Sequence, residues 1–123
     1  MLYYASAHYV RQTDDIDAEL DSAYQSLKYN VYSRAFDSRS KKFGERRLVL
    51  DAAAMGKSAS FPRVSPDGRY LLMALADYGQ FHIWHRSSDL YVLDLKTGVM
   101  RELRKANSPD TESYHNWSSN GRW

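Results

Sequence analysis

The feature that most constrains the fold is a turn sequence that occurs twice. Val64-Ser65-Pro66-Asp67-Gly68-Arg69-Tyr70 stands between two apolar runs, and Trp117-Ser118-Ser119-Asn120-Gly121-Arg122-Trp123 matches it type for type, 53 positions later. Pro66 favours the φ angle of the first central turn position, Asp67 suits the second, and Gly68 tolerates the exit geometry. Asn120 and Gly121 keep the same turn chemistry in the second copy. A turn that recurs at this spacing predicts a repeat built from short strands.

The runs around the first copy predict two consecutive hairpins. Residues 58–64 and 69–76 are strand-like and flank the Ser-Pro-Asp-Gly turn. Residues 89–95 alternate and are rich in aliphatic side chains, 96–98 supply turn residues, and 99–103 form a return strand. Four consecutive short strands predict a four-stranded antiparallel meander of the kind found in a β-propeller blade.

Upstream, residues 2–7, 29–36 and 46–52 predict three further strands. The expected fold is therefore all-β, an incomplete β-propeller. We expect its divisions to be a partial first blade at 1–57, a complete blade at 58–112, and the first strand and turn of a third blade at 113–123. Blades bury their faces against neighbours, and roughly three repeats are needed for independent stability. The chain is thus expected to be a piece of a longer propeller, able to self-associate through open faces.

One segment departs from the strand pattern. Apolar residues recur at helical spacing between 13 and 29, and the first turn is acidic, as a helix amino terminus prefers. This predicts a short amphipathic helix near 14–28, inserted between two strands of the first blade. It is expected to pack its apolar stripe on the sheets, with docking of a partner as the alternative.

Composition excludes several classes of protein. The 123 residues carry a net charge of only +2, which implies no strong field for polyanions. The basic stretch 38–47 contains Glu45 and lacks an RNA-binding motif, so a solvated loop is expected there and no nucleic-acid partner. The absence of cysteine excludes disulfides and thiolate metal sites, and no apolar run approaches the length of a membrane span. No signal peptide is expected in this chain.

Two segments resemble catalytic or phosphate-binding motifs, but each lacks a residue that the motif requires. Residues 51–58 end like a phosphate-binding loop, but Asp51 stands where the first glycine is needed, and its carboxylate would repel phosphate. Residues 56–60 are not a nucleophile elbow, because Ser60 replaces the second glycine. His82, His85 and His115 are the best candidates for metal ligands, but His82 and His85 point oppositely if they lie on a strand. We therefore expect no catalytic residue, no metal and no cofactor.

Topology predicts a binding rim. In a four-stranded blade the loop between strands two and three opens on the same face as the loop to the next blade. Residues 77–88 and 105–115 are these loops, and both are long. Aromatic and Arg-rich loops on a rigid scaffold are typical of recognition surfaces. The alternative is that Phe81 and Trp84 fill space between blades. The candidate rim residues are Tyr78, Phe81, His82, Trp84, His85, Arg86, Tyr114 and His115.

The stretches 64–73 and 87–103 resemble the repeat of TolB-like, WD-repeat-like bacterial β-propeller proteins. The resemblance is strong over 60–104 and partial at 113–123, where Ser119 replaces the turn proline and Asn120 the aspartate. It implies a propeller of six to eight blades in the periplasm or cell envelope. Such proteins act as interaction scaffolds more often than as enzymes.

Three functions remain open at this point. The favoured one is a non-catalytic scaffold that binds protein or cell-envelope ligands. The second is the propeller part of a serine peptidase of the prolyl-oligopeptidase type, which needs a separate hydrolase domain. The third is a propeller carbohydrate lyase that uses a metal and rim histidines, and it predicts that His82, His85 and His115 converge.

Overall fold

The chain folds into short antiparallel strands. The computed structural model describes residues 1–8, 17 and 23–122. Within them the strands are β1 (Leu2–Ser6), β2 (Asn30–Arg34), β3 (Phe36–Asp37), β4 (Lys42–Phe43), β5 (Arg47–Leu50), β6 (Ser58–Val64), β7 (Tyr70–Ala76), β8 (Asp89–Asp94) and β9 (Met100–Glu102). Single 3-10 turns lie at Tyr24–Ser26, Ala53–Met55 and His82–Trp84. The antiparallel pairing confirms the predicted all-β class.

Strands β6 to β9 form a four-stranded sheet in which neighbours in sequence are neighbours in space. The turn between β6 and β7 is held by Gly68 N, which donates to Ser65 O at 2.8 Å, and by Ser65 Oγ, which donates to Asp67 Oδ1 at 2.6 Å. Gly68 has a φ of 73°, a value that glycine adopts without strain. The predicted antiparallel meander is therefore confirmed. Within the described residues no sheet closes into a barrel or ring.

A second sheet of three strands has the order β1-β2-β5. Tyr4 pairs with Tyr32, and Tyr32 pairs with Leu48 across a bulge next to Val31. The pairing of the three upstream strands agrees with the sequence prediction. A small hairpin of β3 and β4, which the sequence did not predict, extends between β2 and β5.

The core lies between the two larger sheets. Leu71, Met73 and Leu75 of β7 point to one face, because alternate residues of a strand share a face, and they are buried there. The buried core side chains are Val31, Ala52, Ala59, Leu71, Met73, Leu75 and Leu93. The backbone also joins the sheets, since Ala59 N donates to Tyr29 O at 2.8 Å.

The helix predicted near 14–28 falls largely outside the described residues. Where the structure describes the end of that segment, Tyr24–Ser26 form one 3-10 turn and Leu27 is already extended. No helix of the described part is long and apolar enough to span a membrane.

Candidate functional site: a loop-bearing rim

The two loops predicted to form a rim lie side by side. Glu112 N donates to Ser88 O at 2.9 Å, and Ser88 Oγ donates to Glu112 O at 2.9 Å. Nearby, Arg86 Nε lies 3.7 Å from Asp110 Oδ1 in an exposed ion pair. The buried Ser88 thus ties residues 77–88 to residues 105–115 through two hydrogen bonds, and holds the loops together.

Three large aromatic side chains of these loops face solvent. Phe81 is 64% exposed, and Trp84 and Tyr114 are each 82% exposed. Neither Phe81 nor Trp84 packs between the two larger sheets described here. Tyr114 stacks on Phe61 of β6, with ring centroids 6.4 Å apart. Both residues have positive φ angles, 54° and 50°, which are uncommon for bulky side chains.

His82 does not belong to the rim surface. Its side chain is fully buried, so its prediction as a ligand contact is corrected. Ser60 Oγ lies 2.7 Å from Nδ1, and Gly79 O lies 2.9 Å from Nε2. Because a carbonyl only accepts, Nε2 carries the proton and Nδ1 accepts from Ser60. Burial lowers the pKa of His82 to about 4, so the imidazole is neutral at pH 7.

Ser60 and His82 have the side-chain types of a catalytic nucleophile and its general base, but a substrate has no access to them. Both side chains are buried, and no substrate carbonyl reaches Ser60 Oγ in this fold. The same loop end is anchored by Ser58, whose hydroxyl donates to Gly79 O and accepts from Tyr29 N. This buried polar cluster therefore holds the loop on the sheets.

His85 lies in an aromatic cluster that the sequence did not predict. Its ring centroid is 4.6 Å from that of Tyr78 and 6.0 Å from that of Tyr24. Tyr24 Oη lies 3.3 Å from His85 Nε2, and burial lowers the pKa of His85. Gly79 approaches the Tyr24 ring so closely that a Cβ there would lie 2.5 Å from Cζ. No local signal identifies Tyr24, because it lies 55 positions from Gly79 in the sequence.

His115 lies beside β6 rather than with the other histidines. Its Nε2 donates to Phe61 O at 2.7 Å, and burial lowers its pKa. Trp117 Nε1 donates to Arg63 O at 2.9 Å, so side chains of 113–117 cover the edge of β6. Among the described residues no three His, Asp or Glu side chains are placed to hold one metal ion. The convergence that the lyase hypothesis requires is therefore not seen in this part of the chain.

The two copies of the turn share one hydrogen-bond pattern. Gly121 N donates to Ser118 O at 2.9 Å, as Gly68 N does to Ser65 O. Arg122 N donates to Asn120 Oδ1 at 3.1 Å, the same distance as Arg69 N to Asp67 Oδ1. The turns also lie close together, since a Cβ added at Gly121 would lie 3.6 Å from Cδ of Pro66.

Comparison with known proteins does not extend this picture. No family model, no curated protein and no solved structure matches the chain. The candidate site is therefore argued from its own geometry. We call it the rim: the two loops that Ser88 joins by hydrogen bonds, with the side chains of Tyr78, Phe81, Trp84, His85, Arg86, Tyr114 and His115.

Proposed function

We propose that this protein is a non-catalytic scaffold of the TolB-like β-propeller kind, and that the rim binds a protein or cell-envelope ligand. The observation that carries the proposal is the exposure of Phe81, Trp84 and Tyr114 on two loops that Ser88 holds together. Exposed aromatic side chains lose hydrophobic stabilisation unless a partner covers them. Aromatic residues are enriched where proteins bind one another.

The propeller part of the proposal is supported by repetition. A four-stranded meander follows a three-stranded sheet, and the turn that opens its second strand recurs with the same hydrogen bonds at 118–121. In this proposal each sheet is one blade, and the segment 113–117 begins the next. The assignment to the periplasm or cell envelope depends on the sequence resemblance over 60–104.

The other two functions receive no specific support. A peptidase needs a hydrolase domain beyond this fold, and a metal-dependent lyase needs histidines that are free to coordinate. Both ring nitrogens of His82 are already hydrogen-bonded to protein atoms. The binding scaffold is therefore the function we carry forward.

Photo-crosslinking tests the proposal. A benzoylphenylalanine at position 84 should give one discrete adduct in the envelope fraction of the native cells, because the ligand covers that side chain. The same probe at Val99, which is 49% exposed and lies outside the rim, is the control. Substitution of Phe81→Ser together with Tyr114→Ser should remove the adduct. An equal adduct from position 99, or none from position 84, would contradict the proposal.

A further inference from the structure

A second surface, separate from the rim, lies on the outer face of the three-stranded sheet. Tyr4 and Tyr32 pair there, with ring centroids 6.0 Å apart, and the Arg46 guanidinium lies 4.5 Å from the Tyr32 centroid. The β3–β4 hairpin adds Phe36 and Phe43, which contact each other at 5.0 Å and are both exposed. We call this surface the basic face.

Positive charge is concentrated in the segment that forms the β3–β4 hairpin and its flanks. The segment 34–47 contains six basic residues and two acidic ones, a balance of +4 in a chain whose total is only +2. Within the described residues none of the six makes an ion pair with another part of the chain. These cations are Arg34, Arg39, Lys41, Lys42, Arg46 and Arg47. Arg47 is in register with the buried Ser33 and therefore lies on the opposite face of the sheet from Arg34. Cations that pair with no carboxylate among the described residues are available there to an acidic ligand.

A pocket on this face combines one of these cations with apolar walls. It has a volume of about 260 Å³ and is lined by Leu2, Tyr4, Arg34 and Phe43. The Nε of Arg34 is buried and has no hydrogen-bond partner. Because this nitrogen is inaccessible, a ligand carboxylate would be bound by the terminal nitrogens of the guanidinium, which lines the pocket and carries the positive charge. The pocket thus offers a cation for a carboxylate and apolar walls for an adjoining aliphatic group.

We propose that the basic face binds a segment of protein that is acidic and carries aliphatic side chains. One carboxylate pairs with Arg34, an aliphatic group enters the pocket beside Phe43, and further carboxylates lie over Arg46 and the hairpin. The site is independent of the rim, and either proposal can fail without the other.

Nucleic acid fits this face less well. Binding of single strands relies on aromatic rings that are open to stacking by bases. Here Tyr32 is covered by Arg46 and Tyr4, and the Phe36 and Phe43 rings contact each other. A sugar–phosphate backbone also has no aliphatic side chain to fill the pocket.

The test uses the whole chain and three labelled peptides of nine residues, with repeats of Glu-Glu-Leu, Glu-Glu-Ser and Lys-Lys-Leu. Fluorescence anisotropy should show binding of the Glu-Glu-Leu peptide, at least fivefold weaker binding of Glu-Glu-Ser, and none of Lys-Lys-Leu. The double substitution Arg34→Gln and Arg46→Gln should weaken binding at least tenfold. The matched control, Arg101→Gln with Arg104→Gln, removes the same charge from β9 and its neighbourhood and should change affinity less than twofold.

A second variant separates the pocket from the charge. Phe43→Ser leaves all six cations and removes one apolar wall from an exposed position, so the fold should survive. It should lower affinity for Glu-Glu-Leu about fivefold and leave Glu-Glu-Ser unchanged. The proposal would be overturned if the two arginine double variants lost equal affinity for the Glu-Glu-Leu peptide, or if the parent protein did not bind that peptide at millimolar concentration. Tighter binding of a single-stranded oligonucleotide or of anionic vesicles than of the peptide would also overturn it.

Discussion

The hydroxyl of Ser60 donates a hydrogen bond to Nδ1 of His82 at 2.7 Å, and solvent reaches neither side chain. Ser60 lies on β6 and His82 lies in the loop that carries the exposed aromatic residues of the rim. The bond therefore connects the core sheet to the candidate binding loop. The contribution of this hydrogen bond can be measured as a change in the free energy of unfolding, because a buried acceptor without a partner destabilises the folded state.

Ser60→Ala should lower the free energy of unfolding by about 1–3 kcal/mol. The substitution leaves Nδ1 of His82 buried and without its protein hydrogen-bond partner. Urea denaturation followed by circular dichroism measures the loss. Ser119→Ala, at an exposed turn position, is the control and should stay within about 0.5 kcal/mol of the parent. Equal effects of the two substitutions would show that the Ser60 bond contributes little.

The stability of the fold should fall as the pH drops from 6.5 towards 4. Burial lowers the pKa of His82 from 6.5 to about 4, so the unfolded state takes up this proton more readily than the folded state. The contribution is fully present above pH 6.5, and about 3 kcal/mol is lost by pH 4. Hydrogen bonds from Ser65 and Arg69 lower the pKa values of Asp67 and Asp94. The stability that these two carboxylates contribute is therefore lost only as the pH falls below their ordinary pKa of 3.8.

His82→Asn isolates this effect, since the amide oxygen can still accept from Ser60 but does not titrate. His85 and His115 also have lowered pKa values and remain in the variant. The difference between parent and variant therefore reports His82 alone. Urea midpoints at pH 7, 5.5 and 4.5 should converge between the two proteins as the pH falls. If the urea midpoints of the two proteins instead changed in parallel with pH, His82 would not be the group responsible for the loss of stability.

Gly79→Ala should be far more destabilising than Gly56→Ala. Both glycines have positive φ angles, 70° and 72°, so both substitutions carry backbone strain of about 1 kcal/mol. Only at Gly79 does the new Cβ collide with another side chain, the Tyr24 ring, whereas nothing lies within 4 Å at Gly56. The expected extra cost is about 1–3 kcal/mol. In a double-mutant cycle, Tyr24→Ser should recover most of that extra cost. A cycle without coupling would exclude the contact.

Leu71→Ala should cost about 2–5 kcal/mol because it opens a cavity in the core between the sheets. Leu48→Ala removes the same atoms from a side chain that is 53% exposed and should cost less than about 1 kcal/mol. Thermal and urea unfolding of both variants provide the comparison. Similar losses would mean that the two sheets do not share the described core.

The strands were predictable because their signals are local. Alternation and turn residues at 65–68 and 96–98 predicted β6 to β9 within one or two residues, since a proline, an aspartate and a glycine restrict the backbone wherever they occur together. The β3–β4 hairpin was missed because its strands have two residues each and lie in a charged stretch. Its polar sequence 38–42 resembles an ordinary solvated loop.

The candidate rim was predictable only as a set of loops. Topology placed 77–88 and 105–115 together, and their hydrogen bonds through Ser88 agree with that placement. Which side chains face solvent did not follow from residue type. His82 and Trp84 stand two positions apart in one 3-10 turn, yet His82 is buried and Trp84 is 82% exposed. Hydrophobicity alone would predict the reverse.

The all-β class, the order of the strands and the recurring turn follow from local sequence, because they depend on φ preferences and on alternation between neighbours in the chain. The pairing of Ser60 with His82, the cover of Gly79 by Tyr24, and the position of Arg34 and Arg46 on one face with a pocket appear only in the folded structure. Each of these depends on contacts between residues distant in the sequence. Such contacts are settled by packing and by the need to satisfy buried polar groups, which no local pattern specifies.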